Sequence, residues 1–179
     1  MRYGVILVVL LFALCLNQGE DAGTPSETPS LPPESSQPIP HSIIQDMIRD
    51  YFSALNNRDL GELKSLTHPY YESDIPLLLD YVKDEKITFT VVSISFLMDA
   101  DGFREMTANL SDEDFTEQVG KRGLSYELIL KVTKGEKTYE DFVIFVEVGE
   151  TETGWKIIDP ELLQLLIESE IEVMEAEEE

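Results

Sequence analysis

Cysteine is almost absent from this 179-residue chain, with Cys15 the only one. A single thiol excludes an internal disulfide framework and a Cys-rich zinc site. The two histidines, His41 and His68, are too few for a His-rich metal centre. Basic residues are scarce as well. Lys and Arg total 13 against 36 Asp and Glu, a net charge of −23. Phosphate backbones are gripped by clustered cations, so a nucleic-acid partner is excluded. No motif calls for a cofactor, and no internal repeat is visible. Hydrophobic residues make up 42% of the chain, an ordinary share that excludes disorder throughout. The length suits one domain with appendages.

Long apolar runs are limited to one. After Arg2 the chain is unbroken apolar from Val5 to Leu16. As a helix that run spans about 18 Å, short of the ~30 Å hydrocarbon core, so it reads as an export signal over residues 1–16. Leu11-Phe12-Ala13-Leu14-Cys15 resembles a prokaryotic lipoprotein signal, with Ala13 as the small residue two before the cysteine. That resemblance implies acylation of Cys15, membrane attachment through the lipid, and an extracytoplasmic, cell-surface location. The other reading is an ordinary cleaved signal carrying a chance cysteine. Residues 17–40 hold Pro25, Pro29, Pro32, Pro33, Pro38 and Pro40 among Ser, Thr and Glu. Such a stretch favours extended polyproline II and reads as a disordered linker, or stalk.

The folded part is expected over 41–160, with an acidic helix over 161–179. Ser42 and Gln45 have the spacing of a capping box. Ile43, Ile44, Met47, Ile48, Tyr51, Phe52 and Leu55 then recur at helical steps, and Asn56-Asn57 ends the pattern. Asp59 and Glu62 open a second helix that His68-Pro69 breaks. A third follows, with Pro76 in its first turn. From Ile87 to Met98 the alternation changes phase between Val91 and Val92, the mark of a bulged strand. Two alternating strands follow, Leu124 to Val132 and Phe142 to Val148, joined by a hairpin at Lys134–Lys137. A short strand holds Trp155 and Ile157. Helices first and an antiparallel meander after predict an α+β fold with helices on a curved sheet. Residues 99–122 fit a short helix or a lid loop.

The segment Met47–Leu63, MIRDYFSALNNRDLGEL, and the closing Gly154-Trp155-Lys156-Ile157-Ile158-Asp159 resemble NTF2-like (cystatin-like α+β) domains. The resemblance covers residues 42–160 and implies a cone whose apolar cavity would be bordered by Tyr51, Phe89, Tyr126 and Trp155. Some members are isomerases or dehydratases and many are binding or assembly modules, so fold alone does not assign function. Tyr51 falls where ketosteroid isomerases of the superfamily place an oxyanion-stabilising tyrosine. No carboxylate matches the base position, and a core aromatic is the plainer reading.

Other candidates point to structure. His68 with Asp74 or Asp159 could form an acid–base pair, but at a helix end it more simply caps carbonyls or meets solvent. Asp99-Ala100-Asp101-Gly102 lacks the remaining oxygens of a calcium loop, since its twelfth position is Leu110. Asn109-Leu110-Ser111 is a glycosylation sequon. Leu162, Leu163, Leu166, Ile167, Ile171 and Met174 form a stripe that covers the chain's own sheet or docks a partner. The glutamates beyond it oppose the helix dipole, so the end is expected to fray. The expected function is a non-catalytic domain binding a small apolar ligand or a protein partner. The alternatives are an isomerase- or dehydratase-type enzyme and a structural module that forms a homodimer.

Overall fold

The computed structural model describes residues 40–177. The expected signal, Cys15 and the linker up to Ile39 lie outside the described residues. None of the described helices is long and apolar enough to cross a membrane. The chain order is α1 (His41–Asn57), α2 (Leu60–Leu66), a 3-10 turn (Pro69–Tyr71), α3 (Ile75–Asp84), β1 (Ile87–Met98), α4 (Ala100–Met106), α5 (Asp112–Gln118), β2 (Gly123–Lys134), β3 (Lys137–Thr151), β4 (Gly154–Ile157) and α6 (Pro160–Glu177). The strands form one open antiparallel sheet in the order β1-β2-β3-β4, so the α+β expectation holds.

Side chains of a strand alternate between faces, and here the alternation sets the layers. Leu124, Tyr126, Leu128, Leu130 and Val132 of β2 lie on one face with Phe142, Ile144, Val146 and Val148 of β3, all buried. Ile44, Ile48, Tyr51, Phe52 and Leu55 of α1 pack onto that inner face. Leu78 and Val82 of α3 and Leu163, Ile167 and Ile171 of α6 complete the core. The apolar stripe of α6 therefore covers the chain's own sheet. The phase change in β1 is a bulge, with the register to β2 slipping between Val91 and Ser93.

Helices guard both edges. Strand β1 would present unpaired backbone groups to other chains. The Asn56 side-chain amide donates to Phe89 O (2.7 Å) and accepts from Phe89 N (2.8 Å), while Gln45 Nε2 donates to Ile94 O (3.3 Å). Helix from Gln45 to Asn56 and strand from Ile94 to Phe89 each span about 16 Å, so α1 and β1 keep step along the edge. Gln45 is thus spent on the sheet. Pro40 stands at the N-cap of α1 without a side-chain hydrogen bond, and the expected Ser42–Gln45 capping box does not form. Asp59 does cap α2, accepting from Glu62 N at 3.0 Å.

At the other edge β4 pairs with Val148–Thr151 on one side, and on the other Ile157 bridges Thr67 in parallel, its carbonyl accepting from His68 N at 2.7 Å. Helix α6 packs along β3. Asp159 Oδ1 caps α6 by accepting from Leu162 N (2.9 Å). Sixteen residues on, Glu175 accepts from the Tyr139 hydroxyl (3.0 Å), with Lys134 and Lys137 at 3.7 and 4.0 Å. The helix continues to Glu177, and three groups of the β2–β3 hairpin meet Glu175 near its end, where the dipole disfavours an anion.

Residues 99–122 form helices α4 and α5 instead of a lid. Asp99 and Ser111 cap them, accepting from Gly102 N (2.9 Å) and Asp114 N (3.1 Å). They sit on the outer face of the sheet in a second small core of Phe103, Phe115, Val119 and Ile158, with Tyr71, Met98 and Leu110 against it.

Candidate functional site

Tyr51, Phe89 and Tyr126 are buried in the main core, and Trp155 packs half-buried against it. Phe89 meets Phe52 edge-on at 5.3 Å, and Phe52 meets Tyr51 at 6.0 Å. The Tyr126 hydroxyl lies 2.8 Å from His41 Nδ1, and the Phe96 ring stands 4.6 Å from that imidazole. Trp155 carries the Arg122 guanidinium 5.7 Å from its ring centre. The four belong to one core, but Tyr51 and Phe89 share Phe52 while Tyr126 and Trp155 each meet other neighbours. Three surface clefts include none of them in their linings.

The Tyr51 hydroxyl is buried and makes no hydrogen bond of normal geometry. Thr67 lies beside it and bears on its acidity, yet the Thr67 hydroxyl proton is committed to Leu63 O at 2.9 Å. Burial pushes the Tyr51 phenol well above its ordinary range.

One cleft, about 280 Å³, is lined by His68, Pro69, Thr116, Lys121, Glu150 and Thr153 among others. His68 is buried, and its Nδ1 accepts from Tyr70 N at 3.2 Å. It caps an N–H of the 3-10 turn, where sequence reasoning had it capping carbonyls or meeting solvent. Burial lowers its pKa, which favours the neutral ring. Lys121 pairs with Glu152 at 3.1 Å.

Among the described residues the most perturbed carboxylate is Glu147, which sequence reasoning did not single out. It lies on the outer face of β3 between the inward Val146 and Val148. Its backbone carbonyl accepts from Ile158 N at 3.0 Å, which brings the β4–α6 junction against it. Burial, and then the Asp159 carboxylate, push its pKa up to about 7. Tyr71 is raised to about 12 by burial, with Asp159, Tyr70, Glu147 and Asp74 adding to it. Neither Glu147 nor Asp159 has an ion pair within the described residues; Arg122 pairs with Glu150 at 2.6 Å, and Lys156 donates to Ser65 O. Glu147 and Asp159 flank a narrow cleft of about 10 Å³ with Phe145, Ile158 and Leu162. A sign of this was available: a charge in an alternating strand followed, one short hairpin later, by a second acid at a helix cap.

Beside that cleft lies an apolar strip. Val143 is 37% exposed and Phe145 43% on β3, with Leu162 36% and Leu165 43% on α6. Among the described residues, no group of three or more His, Cys, Asp or Glu side chains is placed to hold a metal ion. No family model matches the chain, and no curated protein matches it significantly.

Proposed function

We infer that the chain is an exported, lipid-anchored surface protein, held by acylated Cys15 on a Pro/Ser/Thr stalk, whose NTF2-like domain binds a protein partner without catalysis. The observation that carries the binding reading is the strip Val143, Phe145, Leu162 and Leu165, exposed apolar side chains that share one face of β3 and one face of α6, with Phe145 and Leu162 meeting at one cleft. Contiguous exposed apolar surface rimmed by polar groups marks interaction sites. The cavity-facing candidates favour this reading over an internal ligand, since Tyr51, Phe89 and Tyr126 are packed among core side chains.

One observation favours the enzyme alternative: the buried Tyr51 hydroxyl without a good partner. An isomerase would need a carboxylate base facing it. The carboxylate poised near neutrality, Glu147, points to the opposite face of the sheet.

The test is a photoreactive phenylalanine placed at Phe145 in the native host. A cross-link from this position to another protein, absent when the same group replaces the exposed Leu77 of α3, is the expected result. Cross-linking from Leu77 alone, or from neither position, overturns the reading.

A further inference from the structure

We propose that the strip Val143, Phe145, Leu162 and Leu165, with Glu147 and Asp159 at its end, docks a segment of the partner protein that carries a lysine between apolar side chains. This rests on the partner-binding reading above and adds the partner's chemistry.

Charge complementarity selects the occupant. Residues 41–179 hold 12 basic against 32 acidic side chains, so a second acidic copy is repelled while a cationic segment is attracted. The acidic surface alone would draw any cation loosely. Glu147 differs from the rest because it is mostly buried, next to a like charge, and without an ion pair. A buried carboxylate in that position is costly to ionise, and an incoming cation removes the cost. Asp159 bears on it directly, Tyr71 is coupled to it, and Tyr70 and Asp74 act through Tyr71; none supplies positive charge.

Cleft size selects the cation. About 10 Å³ is the room that one water-sized group requires. A primary ammonium has that size and can donate to Glu147, with the Asp159 carboxylate on the same cleft adding to the attraction. The planar guanidinium of arginine is wider and would stay at the rim. Phe145 and Leu162 line the cleft, so apolar side chains flanking the lysine would meet them and continue along Val143 and Leu165.

The experiment follows the Glu147 carboxyl carbon by NMR in the full chain through a pH titration. The probe is the peptide acetyl-Leu-Lys-Leu-amide at millimolar concentration, against its arginine and norleucine counterparts. The expected result is a fall of about one pH unit or more in the Glu147 midpoint with the lysine peptide. Phe145 and Leu162 resonances should move with it. The arginine peptide should bind roughly tenfold more weakly, and Glu147→Gln should cost the lysine peptide roughly tenfold in affinity. An unchanged midpoint, an equal response to norleucine, or an equal response to calcium chloride overturns the proposal. Sedimentation of a dimer that protects Phe145 also overturns it, in favour of a second copy. If Phe145 cross-links to a protein in cells while the lysine peptide fails to bind, the lysine anchor alone is lost and the docking surface stands.

Discussion

Gly123 and Gly149 face each other across β2 and β3, and both lack a side chain where the second layer rests on the sheet. A Cβ on Gly123 would stand 2.2 Å from the Phe103 ring, and one on Gly149 would stand 2.0 Å from Val119 O. The pair makes the flat seat on which α4 and α5 dock. Gly149→Ala meets backbone and has nowhere to relax. It should cost about 3 kcal/mol, at the upper end of overpacking, while Gly123→Ala should cost less because a ring can shift. Urea unfolding of both variants checks the order, and equal, negligible losses would contradict it.

Asn56 closes the β1 edge by bonding both backbone groups of Phe89. Asn56→Ala leaves them unpaired under the helix and should lower stability by about 1–3 kcal/mol. It should also raise the chain's tendency to associate, since a bare strand edge templates pairing. Thermal unfolding and light scattering read the two effects, and a fully stable, monodisperse variant would count against an edge-guarding role.

Glu147 makes stability depend on pH. Its folded pKa, about 7, lies above its ordinary value of 4.5, so the folded state holds the proton more tightly than the unfolded chain. The stabilising contribution is therefore complete below about 4.5 and is lost as pH rises through about 7. The size is about 3 kcal/mol at most, from 1.36 kcal/mol per unit. Glu147→Gln removes the titration, so it should match wild type near pH 5 and exceed it at pH 8. Parallel stability profiles for the two proteins would refute the assignment.

Tyr51→Phe deletes a buried hydroxyl that lacks a well-formed hydrogen bond. Stability should change by less than about 1 kcal/mol, in either direction. A loss above about 2 kcal/mol would show that the hydroxyl is properly bonded, with Thr67 the neighbour to examine.

Much of this fold was legible because alternation survives in β2 and β3, and because the phase change at Val91–Val92 signals its bulge directly. The cap at Asp59 was legible because it acts on a neighbour in sequence. The features that escaped act across the fold. Asn56 reads as a turn residue, yet its partner is Phe89. Gln45 has capping-box spacing, yet it reaches Ile94. Gly123 and Gly149 have meaning only once they are opposite each other. Glu147 looks like any polar position of a strand until Asp159 is folded against it, and its one sign in the sequence, a second acid at a helix cap one short hairpin later, gives neither burial nor proximity.

The central claim, an anchored binding domain outside the cytoplasm, is tested most directly by intact mass spectrometry of the chain extracted from its host's membranes. The account predicts a mature mass that begins at Cys15 and carries acyl chains. A soluble chain that retains Met1 to Leu14 would contradict it.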